Sequence, residues 1–171
     1  MRLFIAIRLD DSIKDALTQV QSTLRAKRVR GNYTGIENLH LTLAFIGEYG
    51  DPDRVLEVMR TVPFEPIPIC LEGFGSFGDL YWCGLAQQDR LTAYVKRLRR
   101  ALAEAEIPFD RKRFSPHITL LRKASFDRMP GVTVPDASMT AEAVSLMRSE
   151  RGKNGMIYTE LGAADAKETG L

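Results

Sequence analysis

Histidine and cysteine, the residues that most often hold metals, are scarce in this 171-residue chain, with two of each. A zinc site usually takes three or four protein ligands, and two histidines with two scattered cysteines do not supply one, so no metal and no cofactor is expected. Cys70 and Cys83 form no CxxC pair and are too few for the disulfide frame of a small secreted domain. Reduced thiols and a cytoplasmic location are the plain expectation, with a Cys70–Cys83 bridge left open by the sequence. Long hydrophobic runs are also lacking: none reaches the roughly 20 residues needed to span a bilayer, so no membrane partner is expected. The opening MRLFIAIRLDDS has only a short apolar run, with Asp10 and Asp11 where a signal peptide would carry small residues. It reads as a first strand rather than a targeting segment. A large charge of one sign is missing too; the net charge of +2 excludes a polycation.

What charge there is comes in clusters: Arg25 to Arg30, Lys96 to Arg100, and Arg111-Lys112-Arg113 just before the second histidine. Such clusters can attract phosphate locally. The Lys96 group lies on a long helix and reads as a solvated face. The 111–113 group is balanced between that reading and a phosphate-attracting one.

Hydrophobic patterning predicts an ordered domain of alternating character. Leu3 to Leu9 reads as a buried strand, and Ile13, Ala16, Leu17, Val20 and Leu24 recur at helical spacing behind the N-cap candidates Asp10 to Ser12. Gly31 to Glu37 reads as a loop. Leu39 to Ile46 predicts a strand, Pro52 to about Arg60 a short helix, and Ile67 to Phe74 and Leu80 to Ala86 a strand pair joined by the turn Gly75-Ser76-Phe77-Gly78. Asp89 to Glu106 is the longest helix, and strands follow at Phe114–Leu121, Thr140–Met147 and Met156–Leu161. Residues 1–161 form one domain, and the small residues from Gly162 to Leu171 predict a flexible tail. Strands and helices mix without a βαβ period, which predicts an α+β fold with largely antiparallel sheets.

The chemistry lies in a duplication. Both histidines are followed by Thr and then Leu two and three places on, in His40-Leu41-Thr42-Leu43 and His117-Ile118-Thr119-Leu120. Threonine fills 11 of 171 positions, so both matches by chance would be about a 0.4% event, which makes the pair worth treating as a motif. On a strand, residues i and i+2 share a face, so each strand turns an imidazole and a hydroxyl one way and its aliphatic residues the other. Two such strands side by side make a pocket suited to in-line displacement at phosphorus. A base and an acid stand on opposite flanks, and two hydroxyls can bond the non-bridging oxygens.

The segments Asn38-Leu39-His40-Leu41-Thr42-Leu43-Ala44-Phe45-Ile46-Gly47 and Phe114-Ser115-Pro116-His117-Ile118-Thr119-Leu120-Leu121-Arg122 resemble the paired motifs of the two-histidine phosphoesterase superfamily. The resemblance is closest to the RNA 2′,3′-cyclic phosphodiesterases long called 2′-5′ RNA ligases. Met1-Arg2-Leu3-Phe4-Ile5-Ala6-Ile7 and Ser149…Gly155…Tyr158 resemble them as well. The resemblance implies a bilobal two-histidine phosphoesterase fold, with two mostly antiparallel sheets flanking a central cleft and helices outside. It implies hydrolysis of an RNA terminal 2′,3′-cyclic phosphate to a 2′-phosphomonoester, with reversible 2′-5′ joining of tRNA halves as a linked activity. It assigns His40 as proton donor to the leaving 3′ oxygen and His117 as proton acceptor from water, with Thr42 and Thr119 beside them. One position departs: relatives often carry Trp seven residues before the first motif histidine, where this chain has Tyr33.

Phe45 and Arg122 each stand five residues after a motif histidine and are candidates for stacking on a base and for contacting the phosphate or the next nucleotide. Strict alternation points both away from the histidine face. They reach it only if the strands bend or end, as Gly47 and Lys123 would permit. Phe74, Phe77, Tyr81 and Trp82 read as core and turn packing. The expected protein is a monomeric, metal-independent phosphodiesterase acting on RNA or nucleotides ending in a 2′,3′-cyclic phosphate. Its rivals are a related enzyme acting on 2′-5′ oligonucleotides or ADP-ribose cyclic phosphate, and a non-catalytic RNA-binding protein.

Overall fold

A computed structural model describes residues 1–125 and 130–167. Among the described residues, nine strands form two antiparallel sheets. The first sheet has the order β3-β1-β8-β9, from His40–Glu48, Arg2–Arg8, Ala143–Gly152 and Gly155–Asp165. The second has the order β2-β6-β5-β4-β7, from Asn32–Tyr33, His117–Arg122, Leu80–Leu85, Ile67–Phe77 and Ser138–Ala141. The α+β expectation therefore holds, with three α-helices among the described residues: α1 (Asp11–Ala26), α2 (Pro52–Thr61) and α3 (Asp89–Glu104). None is long and apolar enough to cross a membrane.

The helices begin where local chemistry favours it. Asp10 caps α1 by accepting from the Ile13 amide at 3.0 Å, and Asp51 caps α2 by accepting from Arg54, with Pro52 in the first turn. The apolar stripe of α1 (Ile13, Leu17, Val20, Leu24) is buried behind the second sheet, against β6 and β7. The helices α2 and α3 lie behind the first sheet and against each other. The backs of both sheets share one continuous core that includes Ile5, Leu41, Leu43, Ile118 and Leu120, each about 0% exposed. Burial of this kind, at about 25 cal/mol per Å² of apolar surface, is the main stabilising contribution.

Several predicted boundaries differ, and the strand expected from Phe114 begins only at His117. The loop over Gly31 to Glu37 contains the short strand β2 and a 3₁₀ turn, Ile36–Asn38. The hairpin turn is Gly78-Asp79, with Gly78 at φ +61°, so Phe77 belongs to β4 and not to the turn. The single strand predicted over Thr140 to Met147 is two, because the chain leaves the second sheet at Ala141 and enters the first at Ala143. Finally, the tail predicted from Gly162 is the end of β9, which runs to Asp165. Its small residues permit close packing rather than fraying: a Cβ at Gly162 would stand 2.8 Å from Leu56 of α2, and Ala164 is fully buried. The rest of the predicted tail, residues 168–171, lies outside the described residues.

Candidate active site

The strands β3 and β6 face each other across a cleft of about 690 Å³ between the two sheets. His40, Thr42, His117 and Thr119 all line it, while Leu41, Leu43, Ile118 and Leu120 point into the core behind. Period-two alternation through His-x-Thr predicts this division.

Both imidazoles are fixed in the same way. Nδ1 of His40 bonds the Asn38 carbonyl at 2.6 Å, and Nδ1 of His117 bonds the Ser115 carbonyl at 2.6 Å. A carbonyl oxygen only accepts, so Nδ1 carries the hydrogen in each ring and Nε2 is the atom left to take or give a proton. Nε2 of His40 is 2.8 Å from the Thr42 hydroxyl. Burial lowers the His40 pKa from its ordinary 6.5; the bond to Asn38 opposes this, and the Arg122 and His117 charges add to it. His40 thus rests neutral near pH 7.

Aromatic rings hold both histidines. Phe4 stands 4.9 Å and Tyr158 5.2 Å from the His40 ring, the latter edge-on. Phe77 stands 5.1 Å and Trp82 6.3 Å from the His117 ring. Tyr81 is buried and packs edge-on against Phe74, as a core residue should. Phe77 and Trp82 depart from the predicted turn-and-core role, because moving the hairpin turn to Gly78 brings Phe77 onto the histidine.

Phe45 and Arg122 also line the cleft. Alternation turns both away, and a bulge in each strand reverses it. On β1, Ile5 and Ala6 are consecutive, yet their partners on β3 are Ala44 and Thr42, so Leu43 is unmatched. On β5, Tyr81 and Trp82 are consecutive, yet their partners on β6 are Leu121 and Thr119, so Leu120 is unmatched. One extra residue shifts the phase of everything after it. Ala44 and Leu121 are therefore buried, and Phe45 (50% exposed) and Arg122 emerge on the histidine side. The bend comes earlier than Gly47 or Lys123 would place it.

Several further residues, to which the sequence assigns no role, line the cleft. Arg2 and Phe4 of β1 share a face at spacing two, and Phe4 pairs with Phe45. Ser149, Arg151, Met156 and Tyr158 come from β8 and β9, and the Asn38 side chain donates to the Met156 carbonyl at 2.8 Å. Among the described residues, the cleft's cations are Arg2, Arg122 and Arg151, and the Arg111-Lys112-Arg113 cluster contributes none. Arg111 instead lies over the Phe109 ring. Tyr33 is not among the cleft residues either; its hydroxyl donates to the Val29 carbonyl at 2.7 Å, and Arg25 covers its ring. The two cysteines are free thiols, and burial pushes that of Cys83 up to about 12.

Two antiparallel sheets around a cleft, with a histidine strand from each, are the architecture of the two-histidine phosphoesterases. Residues 9–153 match the 2′-5′ RNA ligase superfamily, and the chain belongs to it. A relative from Thermus thermophilus, named RNA 2′,3′-cyclic phosphodiesterase, is 32% identical over 94% of this chain and 88% of its own length. One of the same name from Methanothermobacter thermautotrophicus is 28% identical over 94% of this chain and 96% of its own. Among solved structures, Escherichia coli LigT complexed with 3′-AMP superposes with a TM-score of 0.84 at 27% identity, covering 96% of this chain and 97% of that one.

Proposed function

We propose that the chain is an RNA 2′,3′-cyclic phosphodiesterase, opening a terminal cyclic phosphate to a 2′-phosphomonoester without a metal. The observation that carries this is the matched pair of imidazoles on opposite walls of one cleft, each with Nδ1 tied to a backbone carbonyl so that Nε2 is the atom to exchange a proton. His117 takes a proton from water as its oxygen attacks phosphorus. His40 gives a proton to the departing 3′ oxygen, so that one proton is taken up and one released. His40 rests neutral, which is the wrong state for an acid. The anionic phosphate supplies the correction: placed against Nε2, its charge favours the imidazolium form. Substrate binding thus charges the acid. Thr42 and Thr119 bond the non-bridging oxygens, Phe45 stacks on the terminal base, and Arg122 pairs with phosphate.

The same pair can run 2′-5′ ligation of RNA ends such as tRNA halves when a 5′ hydroxyl takes the place of water. We place the activity in the cytoplasm, in a monomer, with both thiols reduced. The test is phosphorus NMR of an oligonucleotide ending in a 2′,3′-cyclic phosphate, incubated with the protein and EDTA. The expected product is a 2′-phosphomonoester, with turnover lost in both His40→Ala and His117→Ala. Wild-type rates in both variants would sink the assignment, and dependence on added metal would sink the metal-free mechanism.

A further inference from the structure

Arg99 and Gln21 belong to helices that back different sheets, and each ends on the carbonyl of an unmatched bulge residue. Arg99 of α3 donates from Nη2 at 3.0 Å and Nε at 3.3 Å to the Leu43 carbonyl, the bulge of β3. Gln21 of α1 donates from Nε2 at 3.0 Å to the Leu120 carbonyl, the bulge of β6. The sequence reading places Arg99 on a solvated face, but it is half-buried between the Phe109 and Phe114 rings, and its Nη1 donates to the Lys112 carbonyl at 2.6 Å. Gln21 is 3% exposed, one of two buried polar residues among those described. Both of its amide hydrogens are used, the second on the Thr34 carbonyl at 2.9 Å.

A buried amide and a desolvated guanidinium are costly unless fully bonded. Here each is bonded at the residue that sets the phase of a motif strand. An unmatched residue interrupts pairing on one side of its strand; the Leu120 carbonyl still accepts the Thr34 amide at 3.0 Å on the other, and a side-chain donor fixed in the core adds to what favours the bulged register over the regular one. The register decides whether the residue five places after the histidine faces the cleft or the core.

We propose that Arg99 and Gln21 are positioning residues of the site: Arg99 sets Phe45 through Leu43, and Gln21 sets Arg122 through Leu120. Each acts on its own wall, so their effects are separable. The kinetic part rests on reading Phe45 and Arg122 as substrate contacts; the structural part does not.

The experiment pairs Arg99→Met and Gln21→Met, which keep the stems and remove the donors, with ring-labelled phenylalanine and arginine Nε–H NMR. Arg99→Met is expected to move the Phe45 ring signals and leave the Arg122 Nε–H in place, and Gln21→Met to do the reverse. With a nucleoside 2′,3′-cyclic phosphate, Arg99→Met is expected to raise KM about tenfold, the size of a lost base stack, with kcat within about threefold. In a Phe45→Ala background the same change should add nothing to KM. Arg99→Lys, which retains one donor centre, should recover part of the effect, and carries the test if Arg99→Met does not fold. Equal shifts on both walls in both variants, or a full Arg99→Met effect on top of Phe45→Ala, would overturn the proposal. Absence of wild-type turnover would count against the phosphodiesterase reading instead, and the crosswise NMR pattern would still decide the positioning.

Discussion

Nε2 of His40 lies 2.8 Å from the hydroxyl of Thr42, so the ring atom that must exchange a proton already has a partner before substrate arrives. With neutral His40 the hydroxyl donates to Nε2; with imidazolium, the Nε2 hydrogen is left for the departing oxygen and the hydroxyl's own hydrogen is freed for a phosphate oxygen. Charging the histidine and arming the threonine are one event. Thr42→Val should therefore cut kcat on a 2′,3′-cyclic nucleotide about a hundredfold, the usual scale for a lost oxyanion donor. Thr42→Ser should recover most of it. A steady-state comparison of the two variants checks this, and a valine variant near wild-type kcat would contradict it.

The carbonyls of Asn38 and Ser115 impose a tautomer. Nitrogen-15 NMR above pH 8 should show both histidines with hydrogen on Nδ1 and a bare Nε2. Hydrogen on Nε2 in either ring would break the proposed proton route at that ring.

Arg122 holds the His40 pKa down, by direct charge, in addition to burial. Removing a positive charge makes protonation easier, so Arg122→Gln should move the His40 titration to higher pH than in the parent. Proton NMR reads this directly, since the chain has two histidines and His117→Ala leaves only one. The sign is the content: a shift to lower pH would mean that Arg122 does not act on His40 through its charge.

Stability should separate two kinds of buried side chain. The Tyr94 hydroxyl is buried without a hydrogen-bond partner among the described residues, and burial raises its pKa. Tyr94→Phe should be neutral or stabilising by about 1 kcal/mol, because no bond is lost and an unsatisfied polar atom is removed. Leu120→Ala, at a fully buried position, should cost about 2–5 kcal/mol through lost contacts and a cavity. Urea denaturation of the two variants measures both.

The sequence displays most clearly what depends on local periodicity. The stripe Ile13, Leu17, Val20, Leu24 marks α1, and alternation through His40-x-Thr42 and His117-x-Thr119 separates cleft from core. Position beyond a bulge is invisible to that rule. Leu43-Ala44 and Leu120-Leu121 are apolar pairs like many others, and what fixes the extra residue is a donor from a helix distant in sequence. Arg2 and Phe4 were hidden for a related reason: their strand reads as buried on both faces, and only its pairing beside β3 shows which face opens on the cleft. Gly162 to Ala164 misled because small residues suit frayed ends and close helix packing alike, and only Leu56 distinguishes the two.

The helix α1 leaves a strand of the first sheet and packs behind the second, while α3 leaves a strand of the second and packs behind the first. Each motif strand is thus backed by a helix whose preceding strand lies in the opposite sheet. Neither lobe can be completed by a contiguous stretch of chain. Cut at the Gly50 loop, the two fragments would each lack a wall of their own core, and they should fold only when mixed. For the intact chain, the same interleaving makes contacts across the cleft non-local in sequence, the kind whose loop-closure cost slows folding.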